Sequence, residues 1–269
     1  MGKQFFFDVS GKQLEAGHHC DKQFISDGYK PHVHDTWELI YVKAGQVAYQ
    51  SEGRYYIVEG GSCIFTRPGV LHTLIFLDKS IYDRYVLHLN SSLFVTLPNL
   101  PEVIDLSKNQ IVQDLFHKMD YYAAYLEGDL LESVLIRLTE EAVLNFKILS
   151  HQYPENYIAN PIITQAIAYI TEHLRDNISL DELCAHLHIT KSYLHRLFLE
   201  HLQLSPGRYI TAKRLEQARM DIRAGSKPAK VYSLWGFQDY CTFYRNYVRH
   251  FGYPPSQEQN RPAKTKIEW

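Results

Sequence analysis

The sequence predicts an α+β multidomain chain: a β-barrel in front, a helical hairpin behind it, and an all-α domain at the end. Three observations carry this. Residues 24–90 hold short runs rich in β-branched and aromatic residues, broken by glycines at turn-like intervals. From about residue 107 the apolar residues recur at helical spacing instead. From Pro161 to about Gly252 the chain reads as a series of short, capped helices.

The strand-like runs are Glu38–Lys43, Gln46–Gln50, Arg54–Val58 and Tyr85–Leu89, punctuated by Gly45, Gly53, Gly60-Gly61 and Pro68-Gly69. Many short strands so spaced point to a barrel or sandwich over residues 1–106. In residues 107–149, Ile111, Leu115, Met119, Tyr122 and Leu126 share one helical face, and Leu131, Val134, Leu135 and Leu138 share another. Gly128-Asp129 separates them, so two helices in an antiparallel hairpin are expected. One apolar face should cover the barrel, and surplus apolar positions are available to pair with a second subunit. Residues 150–160 lose the periodicity, contain Pro154 and read as a linker. Residues 261–269 read as a tail.

With 269 residues, 45% hydrophobic and 22% charged, the chain has the makeup of a soluble globular protein. No apolar run approaches the roughly 18 residues of a membrane span. Phe5-Phe6-Phe7 is too short for a signal peptide. A cytoplasmic location with no membrane partner is expected. Cys20, Cys63, Cys184 and Cys241 are far apart with no CxxC pair, so free thiols are expected rather than disulfides or a thiolate zinc site.

The net charge of −2 looks wrong for a nucleic-acid binder, but its distribution does not. Residues 1–159 carry 13 Lys+Arg against 20 Asp+Glu, a net −7; residues 160–269 carry 15 against 10, a net +5. Only the basic back half is suited to meet phosphates.

That half carries a repeated theme. Ser179-Leu-Asp-Glu182 fits a capping box that opens a short helix. His188-Ile189 makes a tight turn, and Thr190 caps a second helix. Tyr193, Leu194, Leu197 and Phe198 of that helix point inward, leaving Lys191, Ser192, His195 and Arg196 outside. A short helix, a tight turn and a second helix with a basic outer face form a helix-turn-helix. Ser205-Pro206 opens a longer helix with Arg208, Lys213, Arg214, Arg219 and Arg223, ending at Gly225. The theme then returns: Val231, Leu234 and Trp235 form one apolar face, and Gly236 makes the turn. Asp239 starts a helix with Phe243, Tyr247 and Val248 inward and Tyr240, Cys241, Thr242, Tyr244 and Arg245 on its remaining surface. Arg245 corresponds to Arg196.

Over about a hundred residues this text resembles the DNA-binding domain of the AraC/XylS family of transcription regulators. The resemblance rests on Leu180–Leu183, Tyr193–Phe198, Ser205-Pro206, Tyr209, Lys213–Arg219, Trp235–Asp239, Phe243 and Phe251–Pro255. It implies a seven-helix domain over residues 161–260 whose two recognition helices enter adjacent major grooves of double-stranded DNA. The base-reading positions it implies are Ser192, His195 and Arg196 in one helix and Tyr240, Cys241, Thr242 and Arg245 in the other, with Lys191 and Asp239 at the helix starts. The connector's cations are expected to touch phosphates or pair with acids. The chain departs from the family at His188, in place of the first turn's glycine, at Tyr232, in place of a small alanine, at Tyr247, in place of phenylalanine, and at Pro254, in place of threonine.

In the front half, His32-Val-His34 and Glu38 share strand parity, and His72 follows Pro68-Gly69 downstream. This set resembles the paired metal motifs of the cupin superfamily, and the AraC-type sensor is itself a cupin-like barrel. Arg67 and Phe76 stand where the second cupin motif has proline and asparagine. Three imidazoles and a carboxylate suit Zn, Ni, Fe or Mn. Three uses of the quartet stay open: a metal centre, the polar lining of an organic-ligand pocket, or a structural role. Trp37, Tyr41 and Tyr49 are candidates to stack on a sugar ring, or are simply core. The resemblance implies a small-molecule effector, sugars prominent among them, a homodimer, and RNA polymerase as partner if the protein activates. The competing readings are a metal-responsive regulator and a metal-dependent cupin enzyme fused to a DNA-binding domain. No separate nucleophile, cofactor loop or acid–base pair supports an enzyme.

Overall fold

Period-two alternation folds the front of the chain into two facing sheets. The computed structural model describes residues 2–23, 26–97, 100–150, 157–260 and 267–268. Strands β1 (Gly2–Ser10), β2 (Leu14–Lys22), β3 (His32–Val33), β4 (Trp37–Ala44), β5 (Gln46–Ser51), β6 (Arg54–Glu59), β7 (Ser62–Thr66), β8 (His72–Phe76) and β9 (Ile81–Leu89) come first. A short helix α1 (Ser92–Val95) and strand β10 (Val103–Asp105) follow; β11 (Ile158–Ala159) and β12 (Ile267–Glu268) lie far downstream. One sheet runs β1-β2-β9-β4-β7-β10 and the other β11-β6-β5-β8-β3-β12. Every pairing in these sheets is antiparallel. Strand structure therefore starts at Gly2, well before the run of strands expected from residue 24. The reason is long-range: β2 is held along its whole length by β9, which local sequence does not reveal.

The even positions of β4, Ile40 and Val42, meet Val47, Tyr49, Tyr56, Val58, Ile64 and Leu74 between the sheets. The odd positions, Leu39 and Tyr41, face outward with Phe65, Tyr85 and Leu87. There they are covered by α2 (Gln110–Ala123) and α3 (Gly128–Leu149), through Leu115, Phe116, Met119, Leu135 and Phe146. Burying each such side chain stabilises the fold by about 1.5–3 kcal/mol. The Asn109 side chain caps α2 by accepting from the Val112 N–H. The hairpin's outer side keeps Ile111, Tyr121, Tyr125, Leu130 and Ile148 exposed.

The back half is helical: α4 (Pro161–Glu172), α5 (Leu180–His186), α6 (Lys191–Leu202), α7 (Pro206–Arg223), α8 (Pro228–Leu234), α9 (Tyr240–Phe251) and a final 3-10 turn, Pro255–Asn260. Local chemistry sets each start. Asn160, Ser179, Thr190, Ser205 and Asp239 all accept backbone N–H bonds as N-caps, and Pro161, Pro206 and Pro228 sit at first-turn positions. His188 in the α5–α6 turn has φ +54°, the left-handed conformation that glycine normally supplies. Gly236 serves the matching turn before α9 at φ +71°. Val231 and Trp235 are buried as expected, but Leu234, the last residue of α8, is exposed. Tyr232 is accommodated at the surface edge, its ring packed edge-on against Tyr240.

The helical domain is seated on the second sheet. Val33 and Leu71 of the barrel belong to the same buried cluster as Ile163, Phe198, Tyr209 and Leu215. Gly53, at φ +84°, lets the β5–β6 turn lie against α4; a Cβ there would stand 2.3 Å from the Ile163 side chain. Polar contacts frame this patch. Glu52 accepts from Tyr209 and Lys213, Lys213 also reaches the Gly69 carbonyl, and Asp35 pairs with Arg219 and Arg223. Of the expected linker, residues 157–160 are described and β11 pairs with the edge of β6; residues 151–156 lie outside the described residues. So does most of the expected tail, whose residues 267–268 pair with β3.

Candidate functional site

The barrel encloses a cavity of about 300 Å³ at the end where β3, β4, β8 and β9 meet. Its lining includes His32, His34, Thr36, Glu38, His72, Arg84, His88, Tyr29 and Tyr82. Strand parity explains the set. His32 and His34 flank Val33, Glu38 shares their side, and His32 is paired directly with His72 across the β3–β8 ladder. The four residues of the sequence quartet offer ligand atoms that all lie within 4.8 Å of one another, and all four are buried.

Their hydrogen bonds fix how they face. His32 Nδ1 lies 2.9 Å from the Lys30 carbonyl, His34 Nδ1 2.7 Å from that of Thr36, and His72 Nδ1 2.9 Å from that of Val70. A carbonyl only accepts, so each Nδ1 carries a hydrogen and each ring turns its Nε2 elsewhere. For His34 and His72, Nε2 faces the same Glu38 oxygen at 3.3 and 3.2 Å. These contacts are within ion-pair distance but off the hydrogen-bond direction, and both Nε2 atoms are buried without a hydrogen-bond partner. The other Glu38 oxygen is 3.3 Å from His88 Nε2. Burial opposes the Glu38 charge. The His34 and His88 rings, with the close approach of His34 and His72, nonetheless hold its carboxyl well below the ordinary range. Burial, with His34 adding to it, brings His88 down to about 4 despite the pull of Glu38, so His88 is neutral near pH 7.

Two lone pairs aimed at a carboxylate repel it unless a proton or a cation lies between them. The donor set, three nitrogens and one carboxylate oxygen with every Nδ1 anchored, fits a divalent ion of the zinc or iron type. His32, His34, Glu38 and His72 would hold it. The rest of the wall suits a polar molecule. Arg84 pairs with Asp21 at 2.5 Å, lies over the Tyr82 ring and keeps its buried Nε without a hydrogen-bond partner.

The three aromatic candidates do not line this cavity. Trp37 and Tyr41 have the opposite parity to Glu38 and point to the helices, Trp37 stacked on Phe65 and Tyr41 on Phe116. Tyr49 is fully buried between the sheets with its hydroxyl 2.9 Å from Thr66 Oγ1. Sequence reasoning missed His88, Arg84, Tyr82 and Tyr29. The signal for the first three was present: in β9 the even positions Tyr82, Arg84 and His88 interrupt an apolar strand on its inner side.

On the helical domain, Lys191, Ser192, His195 and Arg196 are all exposed on α6, and Tyr240, Cys241, Tyr244 and Arg245 on α9. Lys191 forms an exposed pair with Asp181 at 2.7 Å. Asp239 is better described as a cap than as a contact residue. Its oxygens take the Thr242 N–H and hydroxyl, which holds its carboxyl below the ordinary range and starts the helix. Thr242 is half-buried in that arrangement. The connector helix α7 turns most of its cations inward. Arg214 donates to the carbonyls of Leu174, Gly236 and Asp176, while Lys213, Arg219 and Arg223 pair with acids. All four cysteines are free thiols, with Cys241 exposed.

Comparison with known proteins agrees with both halves. A model of the AraC-like ligand binding domain matches residues 20–119, and a model of a helix-turn-helix domain matches residues 183–261. The HTH-type transcriptional regulator GbdR of Pseudomonas aeruginosa is 33% identical over 100 residues, which are 37% of this chain and 27% of that one. The raffinose operon transcriptional regulatory protein RafR of Pediococcus pentosaceus is 29% identical over 92 residues, 34% of this chain and 33% of its own. The chain thus spans a third or less of the length of these relatives. The HTH-type transcriptional activator RhaS of Enterobacter sp. strain 638 is matched almost throughout, at 24% identity over 251 residues, 87% of this chain and 89% of that one. Among solved structures, ToxT from Vibrio cholerae O395 aligns with a TM-score of 0.40 and 13% identity over 93% of this chain and 98% of its own. The three relatives matched by sequence are named as regulators of transcription and not as enzymes. The chain carries an AraC-like ligand binding domain ahead of a helix-turn-helix domain, and its relatives are AraC-family transcription regulators.

Proposed function

We propose that this chain is a sequence-specific, DNA-binding transcription regulator controlled by a small polar effector, a sugar, bound in the barrel cavity. The observation that carries the reading is the pairing of that cavity with two helices whose outer faces are basic or polar and exposed. Arg196 and Arg245 present guanidinium groups suited to guanine O6 and N7. Helices held one duplex turn apart, about 34 Å, would read successive major grooves. The division of labour is a barrel over 1–106, a hairpin over 107–149 that pairs two copies through its exposed apolar residues, a linker over 150–160 and a DNA-binding domain over 161–260. A sugar is favoured by a cavity rich in hydrogen-bonding groups beside the Tyr29 and Tyr82 rings, and by the raffinose operon in one relative's name. RNA polymerase is the further partner if the regulator activates, and the cytoplasm is where such a protein would work.

The test is genome-wide footprinting with and without a panel of mono- and oligosaccharides. Protected sites beside promoters whose occupancy changes with one sugar are expected; no protected site under any condition would overturn the reading.

A second reading has its own support in the anchored Nδ1 atoms and the unpartnered Nε2 atoms of His34 and His72. In it, His32, His34, Glu38 and His72 hold a divalent metal, which polarises oxygens of the effector or is itself the signal. Metal analysis of chain purified without chelator checks this. About one ion per chain, lost in His34→Ala, is expected; trace metal unchanged by that substitution would reject it.

A further inference from the structure

The cavity and the DNA-binding domain share a wall one strand thick. In the segment His32–Asp35 the even residues, His32 and His34, face the cavity. The odd residues face the helical domain: Val33 lies in that domain's buried cluster and Asp35 pairs with its connector helix. Leu71 and His72 repeat the arrangement at the start of β8, with Leu71 in the helical cluster and His72 in the cavity.

Asp35 is the charged link across this wall. One of its oxygens is 2.8 Å from Arg219 Nη2 and also accepts from Arg223 Nη1. Arg219 is 1% exposed and further tied to Glu258 at 3.1 Å, and Arg223 to the same carboxylate at 2.6 Å. Glu258 in turn accepts from Tyr247 of α9 and from Tyr253 at 2.8 Å. A single polar chain therefore runs from the cavity wall through α7 to the second recognition helix. On the cavity side the segment around Asp35 is clamped: His34 Nδ1 bonds the Thr36 carbonyl and the Thr36 hydroxyl lies 3.4 Å from His88. The link is also imperfect. The other Asp35 oxygen, Arg219 Nη1 and Arg223 Nη2 are buried without hydrogen-bond partners. Arg219 Nη1 has only a long contact to Glu216, at 3.7 Å, so the junction holds buried donors and an acceptor that are free to exchange partners, which is what a coupling element requires.

We propose that Asp35 is the positioning residue through which the state of the cavity reaches the DNA-binding domain. An occupant that moves His34 or changes the charge opposite it shifts the His34–Thr36 turn. That shift resets the Asp35 contacts with Arg219 and Arg223 and, through Glu258, the seating of α9. This rests on the reading of the cavity as the effector site.

The test is a double-mutant cycle on the full chain, read by hydrogen exchange of the α7 amides, and it needs no effector. Glu38→Gln perturbs the cavity, with His88→Asn as an independent second perturbation; Asp35→Asn cuts the link and Asp35→Glu preserves it. Each cavity variant is expected to change exchange at the Arg219–Arg223 end of α7 by about fivefold with Asp35 or Asp35→Glu, and by less than about twofold with Asp35→Asn. Equal changes in all three backgrounds, or no change in α7 from either cavity variant, would overturn the proposal. Failure of the effector reading is separate: it shows as no sugar binding to the unaltered chain, whatever α7 does.

Discussion

Two buried clusters of histidine and carboxylate lie in the barrel, one between the first sheet and α2 and one between the two sheets, and they are built on opposite principles. The first joins β2, β9 and α2. His18 is fully buried, with Nδ1 2.7 Å from Asp120 and Nε2 2.8 Å from Asp83. Tyr85 also donates to Asp120, Lys43 reaches Asp83, and Phe6 and Tyr85 stack on the two ring faces. Each His18 nitrogen has its own acceptor. The second is the Glu38 cluster, where three imidazoles converge on one carboxylate and two ring nitrogens have no hydrogen-bond partner. Satisfied polar groups in a closed site hold a structure together; unsatisfied ones beside a cavity await something. The contrast sets a fully bonded cluster against one that leaves polar atoms free beside a cavity, which is the basis for proposing the second as the binding site.

The largest effect should come from the satisfied cluster. His18→Ala strands two carboxylates and should cost about 3 kcal/mol of unfolding free energy, measured by urea denaturation. A loss under about 1 kcal/mol would erase the contrast. The same cluster predicts a pH dependence. Burial opposes the His18 charge, but the bonds and charges of Asp120 and Asp83 outweigh it and raise its pKa above the ordinary value. His18 thus keeps its proton to higher pH when folded than when unfolded. Its contribution is fully present below about pH 6.5 and fades as the pH rises through the folded value. Denaturation of the unaltered chain and of His18→Ala across pH 6 to 9 should converge toward high pH.

The arginines sharpen the comparison. Arg219 is buried and tied, whereas Arg196 and Arg245 are exposed on α6 and α9. Arg196→Ala and Arg245→Ala should each weaken binding to an operator selected from random duplexes by about 1–3 kcal/mol while leaving the melting temperature in place. Unchanged affinity would show that the helix concerned reads no base there. A smaller stability effect than that of His18→Ala should come from Glu38→Gln. Its neighbours hold the Glu38 carboxyl below the ordinary range despite burial, so neutralising it should cost some unfolding free energy near pH 7, but less than the roughly 3 kcal/mol of His18→Ala.

Much of this was legible in the sequence where chemistry is local. Ser179, Thr190 and Ser205 announced their helices because a cap needs only the next three residues. The parity of His32, His34 and Glu38 announced a common face. What local reasoning lacked was the partner across the sheet. Trp37 and Tyr41 were attractive beside the motif, but one step in parity sends them to the helices. His88 and Arg84 reach the cavity because β9 pairs with β4, a contact between residues some fifty apart. The role of Asp35 depends on Arg219, even farther along the chain, and on a domain seating that no motif encodes.

The central claim is that the Glu38 cavity is where the regulator takes its effector. The most direct measurement is operator affinity with and without the sugar that changes occupancy in footprinting, for the unaltered chain and for Glu38→Gln. The account predicts a shift of about tenfold or more in the unaltered chain and none in Glu38→Gln, with the fold retained in both and each shift measured against that variant's own effector-free affinity. An equal shift in Glu38→Gln would place the effector elsewhere and contradict it.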